Sequence, residues 1–220
     1  MTRMRQRGEP APEPPHPLPE GELRKSWGDG APRVSILCHT YNHERFIKDT
    51  LDGFLAQRTD FPFEIIVHDD CSPDSTQEIV LEYQKNYPSV IRVIFQEVNQ
   101  FAHHRPMEFS LPAARGEYLT FCEGDDYWTD PDRLQRQVDL LDARPEVMFV
   151  GHDYVSARDG RVWTHHHRDS VTFSRGSIMR SGAYFHPATL LFRHPRQAFP
   201  EEVLTVRNVD TFLQSQRLEI

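Results

Sequence analysis

From residue 33 onward the apolar positions follow two alternating rhythms. Short unbroken runs at 34–38 (VSILC), 63–68 (FEIIVH), 90–95 (VIRVIF) and 117–122 (EYLTFC) have strand length and β-branched content. Between them the apolar residues recur every three or four positions. In 43–57, Ile47, Leu51, Phe54 and Leu55 fall on one helical face; in 69–87, Ile79, Tyr83 and Tyr87 do so. Ser75 and Glu78 have capping-box spacing at the start of that second helix. A third helix is predicted to open at Asp130-Pro131, an N-cap followed by a first-turn proline, and to carry Leu134, Val138 and Leu141 inward. Residues 147–150 (VMFV) add a further strand. Strands alternating with helices predict right-handed βαβ units, hence an α/β fold with a Rossmann-like, mostly parallel central sheet flanked by helices.

Residues 1–32 break the pattern. They hold seven of the chain's 17 prolines, mixed charges and few large apolar groups, so a disordered Pro-rich tail is expected there. The remainder, 33–220, is read as one domain, with a ligand-binding half at 33–150 and a second half at 151–220.

Charge and composition then narrow the function classes. A net charge of −8 without a long basic run argues against nucleic acid as the main partner. No stretch approaches the roughly 18 apolar residues of a membrane span, and the first residues lack the apolar segment of a secretory signal. Cys38, Cys71 and Cys122 are odd in number and lack CxxC spacing, which suits reduced thiols. A cytoplasmic protein is expected, with room for peripheral association at the inner face of a membrane.

Two acidic clusters directly follow predicted strands: Asp69-Asp70 in HDDCSPDST and Glu123, Asp125 and Asp126 in CEGDDYWTDP. In open parallel sheets ligands bind beyond the carboxyl ends of the strands, so both clusters should lie on the ligand-binding edge. Taken singly each is ambiguous. The first either begins a turn and caps a helix or accepts hydrogen bonds from a nucleobase or ribose. The second is either a solvated turn or an oxygen-ligand site for Mg²⁺ or Mn²⁺, cations that use one or two carboxylates with phosphate oxygens and water.

Together, VSILCHTYNHERFIKDTLDGFLAQ, FEIIVHDDCSPDST and ARGEYLTFCEGDDYWTDPDRLQRQ, in this order across roughly residues 33–145, resemble the nucleotide-binding half of family-2 glycosyltransferases of the GT-A fold. CEGDDYWTDP is most similar to bacterial enzymes of surface-polysaccharide synthesis. The resemblance implies a nucleotide pocket formed by His39, Thr40, Tyr41 and Asn42, with Asp69 and especially Asp70 contacting base and ribose. It implies that Glu123, Asp125 and Asp126 hold the divalent metal on the donor diphosphate, and that Trp128 either flanks the donor sugar or packs in the core. Such enzymes place a basic residue against the diphosphate. His103, His104, Arg105 and Arg115 are the candidates, and Arg115 is the best placed by motif.

Beyond residue 150, YFHPATLLFRHP resembles the segment beside the acceptor pocket, with Thr189 and Arg193 at familiar positions, and VRNVDTFLQS resembles the element that carries the general base. By that match Asp210 is the base, with Val209 in place of the more usual residue before it. The triple histidine at 165–167 reads as an exposed loop rather than a zinc site, since consecutive side chains diverge. The implied activity is an inverting, metal-dependent hexosyl transfer from a nucleoside-diphosphate sugar, UDP by family frequency, to a hydroxyl of a glycan or lipid-linked glycan. Two alternatives stand beside it. A nucleotidyltransferase would show a Gly-rich phosphate loop after the first strand, which CHTYNHER lacks. A non-catalytic nucleotide-sugar binder or truncated partner is suggested by a chain that stops ten residues after Asp210.

Overall fold

A computed structural model describes residues 3–7, 11–158, 161–166 and 186–194. The strands are β1 (Arg3–Arg7), β2 (Val34–Thr40), β3 (Phe63–Asp69), β4 (Ile91–Phe95), β5 (Tyr118–Glu123), β6 (Phe149–Val150), β7 (Tyr154–Arg158), β8 (Arg161–His166) and β9 (Leu191–Arg193). The helices are α1 (Glu20–Leu23), α2 (Ile47–Leu55), α3 (Thr76–Asn86), α4 (Pro106–Ser110) and α5 (Arg133–Ala143). Six strands form the central sheet in the order β4-β3-β2-β5-β9-β6. The first four are mutually parallel, and β9 runs antiparallel to both neighbours. β1, β8 and β7 form a separate antiparallel sheet.

Strand alternation divides the core into two layers. Ile36 and Cys38 of β2, Ile65 and Val67 of β3, and Tyr118 and Cys122 of β5 face the layer that holds Leu51, Phe54, Val80, Leu134, Val138 and Leu141. Leu37, Ile66, Leu119 and Phe121 face the other way, onto Met107 and Leu111. The predicted stripes of α2 and α5 are wholly buried, while Ile79 and Tyr83 of α3 pack at the margin around Val80.

Three local expectations are corrected. Ser75 makes no cap hydrogen bond; the Asp74 carboxylate accepts from the Thr76 N–H (3.1 Å) and hydroxyl (2.5 Å), while the Ser75 N–H donates to Glu44 across the loop (3.1 Å). The helix expected at Asp130-Pro131 begins at Arg133, because the Asp130 carboxylate accepts from the Asp132 N–H (3.0 Å) and closes a turn first. His165 and His166 lie in β8 rather than in a loop.

The larger correction concerns residues 11–32, which lie against the domain instead of forming a disordered tail. Leu23 is buried, Leu18 and Trp27 pack on the core, and the Leu18 N–H donates to the Leu55 carbonyl (3.0 Å). Trp27 donates its indole N–H to Thr59 (3.0 Å) and sets its ring edge-on to Phe63. Three large side chains suffice to dock a segment whose overall composition is polar.

Candidate active site

Register brings the candidate residues into line. Thr40 pairs with Asp69 and His39 with Glu123, so the loops after β2, β3 and β5 leave the sheet side by side at its carboxyl edge. The first two loops are tied together. The Asp70 N–H donates to the Thr40 carbonyl (3.1 Å), the Asn42 N–H to Ser72 Oγ (2.9 Å) and the His43 N–H to Thr76 Oγ1 (2.9 Å). Asn42 (φ 59°) and Cys71 (φ 64°) both adopt left-handed backbone, a conformation concentrated where function demands a particular loop path.

The aspartate pair is buried and serves its own loops. Asp69 accepts from the Ser72 N–H (2.9 Å), the Ser72 hydroxyl and the Gln77 amide (2.6 Å). Asp70 accepts the Gln100 and Phe101 N–H groups at 2.7 and 3.1 Å, which draws the segment after β4 to the same edge. That segment carries Arg105, whose guanidinium lies over the Phe101 ring and donates to the Phe101 carbonyl (3.2 Å). Tyr41 and Phe101, 46% and 62% exposed, are large rings left open to solvent here. His39 instead turns beneath the loops: Nε2 meets Ser110 Oγ at 2.8 Å, and burial, then the neighbouring His68, pushes its pKa down to about 3, so the ring is neutral.

The structure does not bring Arg115 to this edge. It precedes β5, at the amino end of the sheet, where its guanidinium donates to the buried Glu64 carboxylate at 2.7 and 2.9 Å. Arg193 also lies at that end, paired in register with Tyr118 and donating to the Val147 and Leu141 carbonyls. Trp128 is core: it is buried, meets Phe54 edge to face and carries the Arg133 guanidinium over its ring. Asp210 lies outside the described residues.

The acidic loop after β5 is clamped from two sides. Thr50 of α2 donates to the Gly124 and Asp126 carbonyls (3.0 and 2.7 Å), and the Gly124 N–H donates to the His39 carbonyl (2.9 Å). At Gly124 a Cβ would come within 2.7 Å of Thr40 Oγ1 and 2.8 Å of His43 Nδ1, so only glycine fits this crossing. Among the described residues no three His, Cys, Asp or Glu side chains converge as a metal cluster, so Glu123, Asp125 and Asp126 do not form a self-contained three-carboxylate cage. The donor set still suits a hard cation that takes most of its oxygens from phosphate and water. Burial, opposed by His186 and reinforced by Asp125, raises the Asp126 pKa, as expected for a carboxylate short of positive charge; the His186 ring nitrogen Nδ1 lies 3.7 Å from its Oδ2.

Beside Asp125 and Asp126 a cavity of about 970 Å³ runs under the β6–β7 connection and the 3-10 turn Pro187–Thr189. Its lining reaches Arg133, Gln137, His152 and Thr189, and the N-terminal segment closes one side, with the Tyr127 hydroxyl donating to the Pro12 carbonyl (2.6 Å). The edge therefore offers two compartments flanking one acidic loop, the first formed by the β2, β3 and β4 loops and the second by α5 and the turn before β9.

The sequence profile of Glycosyl transferase family 2 matches residues 35–201. The chain belongs to that family. An uncharacterized protein of Mycobacterium tuberculosis is 49% identical over 119 residues, 54% of this chain and 34% of that protein. A putative teichuronic acid biosynthesis glycosyltransferase of Bacillus subtilis, TuaG, is 33% identical over 130 residues, 59% of this chain and 50% of TuaG. The chain thus spans between a third and a half of the length of these relatives. Among solved structures, Staphylococcus aureus TarS residues 1–349 in complex with UDP superposes with a TM-score of 0.59 at 24% identity, covering 83% of this chain and 54% of that one. The GT-A fold expected from the sequence is the fold observed.

Sequence reasoning named Arg105 among four candidates but ranked Arg115 above it, and it missed Thr50 as the clamp of the acidic loop and the Arg133–Gln137 cavity floor. Arg133 and Gln137 stand four apart, but so do many solvated helix pairs, and nothing in the sequence marks them as buried.

Proposed function

We propose that this chain transfers a sugar from a nucleoside-diphosphate donor to a hydroxyl acceptor with inversion, using a divalent metal. The observation that carries the reading is the convergence, on one sheet edge, of the Thr40–Asn42 turn, the Asp69-Asp70 loop and the Asp125-Asp126 loop, with a separate cavity beyond the last. The nucleotide sits between the β2 and β3 loops against Tyr41, with Asp69 and Asp70 fixing the pocket that holds base and ribose. Arg105 takes the role expected of Arg115 and faces the diphosphate.

Asp125 and Asp126 would hold Mn²⁺ or Mg²⁺, with Glu123 at the loop's start, and a cation bound there would supply positive charge to offset that of the diphosphate. The chain's own residues supply position: Thr50, Gly124 and His39 fix the carboxylates, and the cavity orients the acceptor. Asp210 is assigned as the base that takes the acceptor's proton, and an aspartate near its ordinary pKa of about 3.9 is ionised at neutral pH for that task. Synthesis of a cell-surface glycan or lipid-linked glycan at the cytoplasmic face of the membrane suits the similarity to TuaG. No helix among the described residues is long and apolar enough to cross a membrane.

Calorimetric titration with UDP in Mn²⁺, in Mg²⁺ and in chelator tests the reading. Either metal should strengthen binding to the parent, and Asp126→Asn should remove most of that gain. Equal enhancement in both proteins, or no nucleotide binding at all, excludes the assignment.

A further inference from the structure

Among the described residues seven buried side-chain polar atoms have no hydrogen-bond partner, and four of them belong to three residues lining the cavity beside Asp126: Arg133 Nε and Nη1, Gln137 Oε1 and Trp128 Nε1. Such atoms are uncommon in folded proteins, and each costs about 1–3 kcal/mol, so a concentration in one cavity asks for a partner that arrives from outside. Arg133 and Gln137 are 3% and 8% exposed and lie four apart on one face of α5.

Both side chains are already fixed. Arg133 stacks on Trp128 with its guanidinium carbon 3.7 Å from the ring centre and donates through Nη2 to Thr120 Oγ1 (3.2 Å). Gln137 donates its amide N–H to the Thr189 carbonyl (2.9 Å), which leaves its oxygen facing no donor. No hydrogen bond or ion pair joins Arg133 to a carboxylate among the described residues.

We propose that Arg133 and Gln137 form a hydroxyl-reading subsite for a neutral polyol segment of the acceptor, either a sugar ring or an alditol. The inference rests on the glycosyltransferase reading above and adds to it the chemical class of the acceptor and the residues that select it. The reason is the mixed character of the unpaired atoms. Arg133 offers only donors and Gln137 Oε1 only an acceptor; a hydroxyl both accepts and donates, so a pair of neighbouring hydroxyls satisfies both residues. A phosphodiester, which only accepts, would leave Gln137 Oε1 unpaired. The charge balance also disfavours free anions, since five aspartates, at 49, 125, 126, 130 and 153, line the cavity against two arginines, Arg133 and Arg136. The unpaired atoms are covered, so binding shifts part of the lining, which includes the short β6–β7 connection and the turn before β9.

The test is a ¹H–¹⁵N titration of the full chain, following the arginine Nε–H signal of Arg133 and the side-chain amide of Gln137. The probes are sorbitol and methyl glucoside, with inorganic phosphate and glycerol phosphate as anionic counterparts; UDP with Mn²⁺ is titrated into the same samples. Saturable shifts of both signals with either neutral probe, and none with phosphate, are expected. Arg133→Met and Gln137→Met, which fill the same space without the unpaired atoms, should each weaken the neutral probe by about tenfold or more and leave UDP binding unchanged. If one variant does not fold, the other and the parent titration still decide. Shifts with phosphate alone, or with no probe, overturn the inference. UDP–Mn²⁺ binding without a polyol response overturns it while sparing the glycosyltransferase reading. A polyol response without UDP–Mn²⁺ binding keeps the pair as a polyol site and removes the glycosyltransferase reading.

Discussion

Arg115 shows how a single residue can be right by motif and displaced by geometry. It opens the Arg115–Tyr118 segment on which part of the family resemblance rests, yet that segment enters β5 from the amino edge of the sheet. There it answers Glu64, a buried carboxylate that also accepts from Ser35 (2.7 Å) and Arg92 (3.2 Å). Burial alone would raise the Glu64 pKa, but the hydrogen bonds from Arg115 and Ser35 carry the balance and lower it. A carboxylate with a lowered folded pKa contributes stability above its unfolded value, near 4.3, and that contribution is lost as pH falls through the folded pKa. Arg115→Gln should therefore cost roughly 1–2 kcal/mol at pH 7, less than a fully broken buried pair because Arg92 and Ser35 remain. The deficit should shrink toward pH 3. Urea unfolding at the two pH values measures this, and UDP affinity should stay at the parental level. A mutant of unchanged stability with weakened UDP binding would return Arg115 to the diphosphate.

At the scale of elements, α1 and its flanks test the packing of residues 11–32. Their anchors are Leu18, Leu23 and Trp27, and Glu20 accepts from the Ser89 N–H (2.9 Å) and hydroxyl (2.6 Å). Burying a large apolar side chain is worth about 1.5–3 kcal/mol, so deleting residues 1–30 should destabilise the domain by on the order of 4 kcal/mol. A melting temperature unchanged by the deletion would show that the segment does not dock in solution. α2 illustrates the opposite case, in which an element does what its sequence pattern says and also more. Its apolar stripe is buried as predicted, while Thr50 and Gly53 on the same helix hold and admit the acidic loop; a Cβ at Gly53 would lie 2.8 Å from the Trp128 carbonyl.

For the whole molecule, the division into two compartments predicts that binding and chemistry can be separated. The nucleotide is assigned to the loops after β2, β3 and β4, and proton removal to Asp210 in the last part of the chain. Asp210→Asn preserves size and most hydrogen-bonding capacity but loses basicity. Sugar transfer should fall by about 10²–10⁴-fold while UDP affinity changes little. Comparison with Asp126→Asn sharpens the test, because that variant should lose metal-dependent binding first. Transfer at the parental rate by Asp210→Asn would place the base elsewhere.

The sequence by itself determined the α/β alternation, the four parallel strands and the burial of α2 and α5, because hydrophobic periodicity is a local property that the chain displays residue by residue. It also determined that both acidic clusters follow strands, and a parallel sheet then obliges them to share an edge. What it left open was every choice that depends on long-range register or on a few strong contacts. Nothing in residues 11–32 signals that three apolar side chains will find the core. The strand expected at 117–122 already set Arg115 before its amino end, but only the hydrogen bonds from Gln100 and Phe101 to Asp70 brought the segment of Arg105 to the carboxyl edge. The Arg133–Gln137 pair became visible only when α5, the acidic loop and the turn before β9 met around one cavity. Whether a buried polar atom is paired depends on which distant segments surround it, and only the tertiary structure decides that.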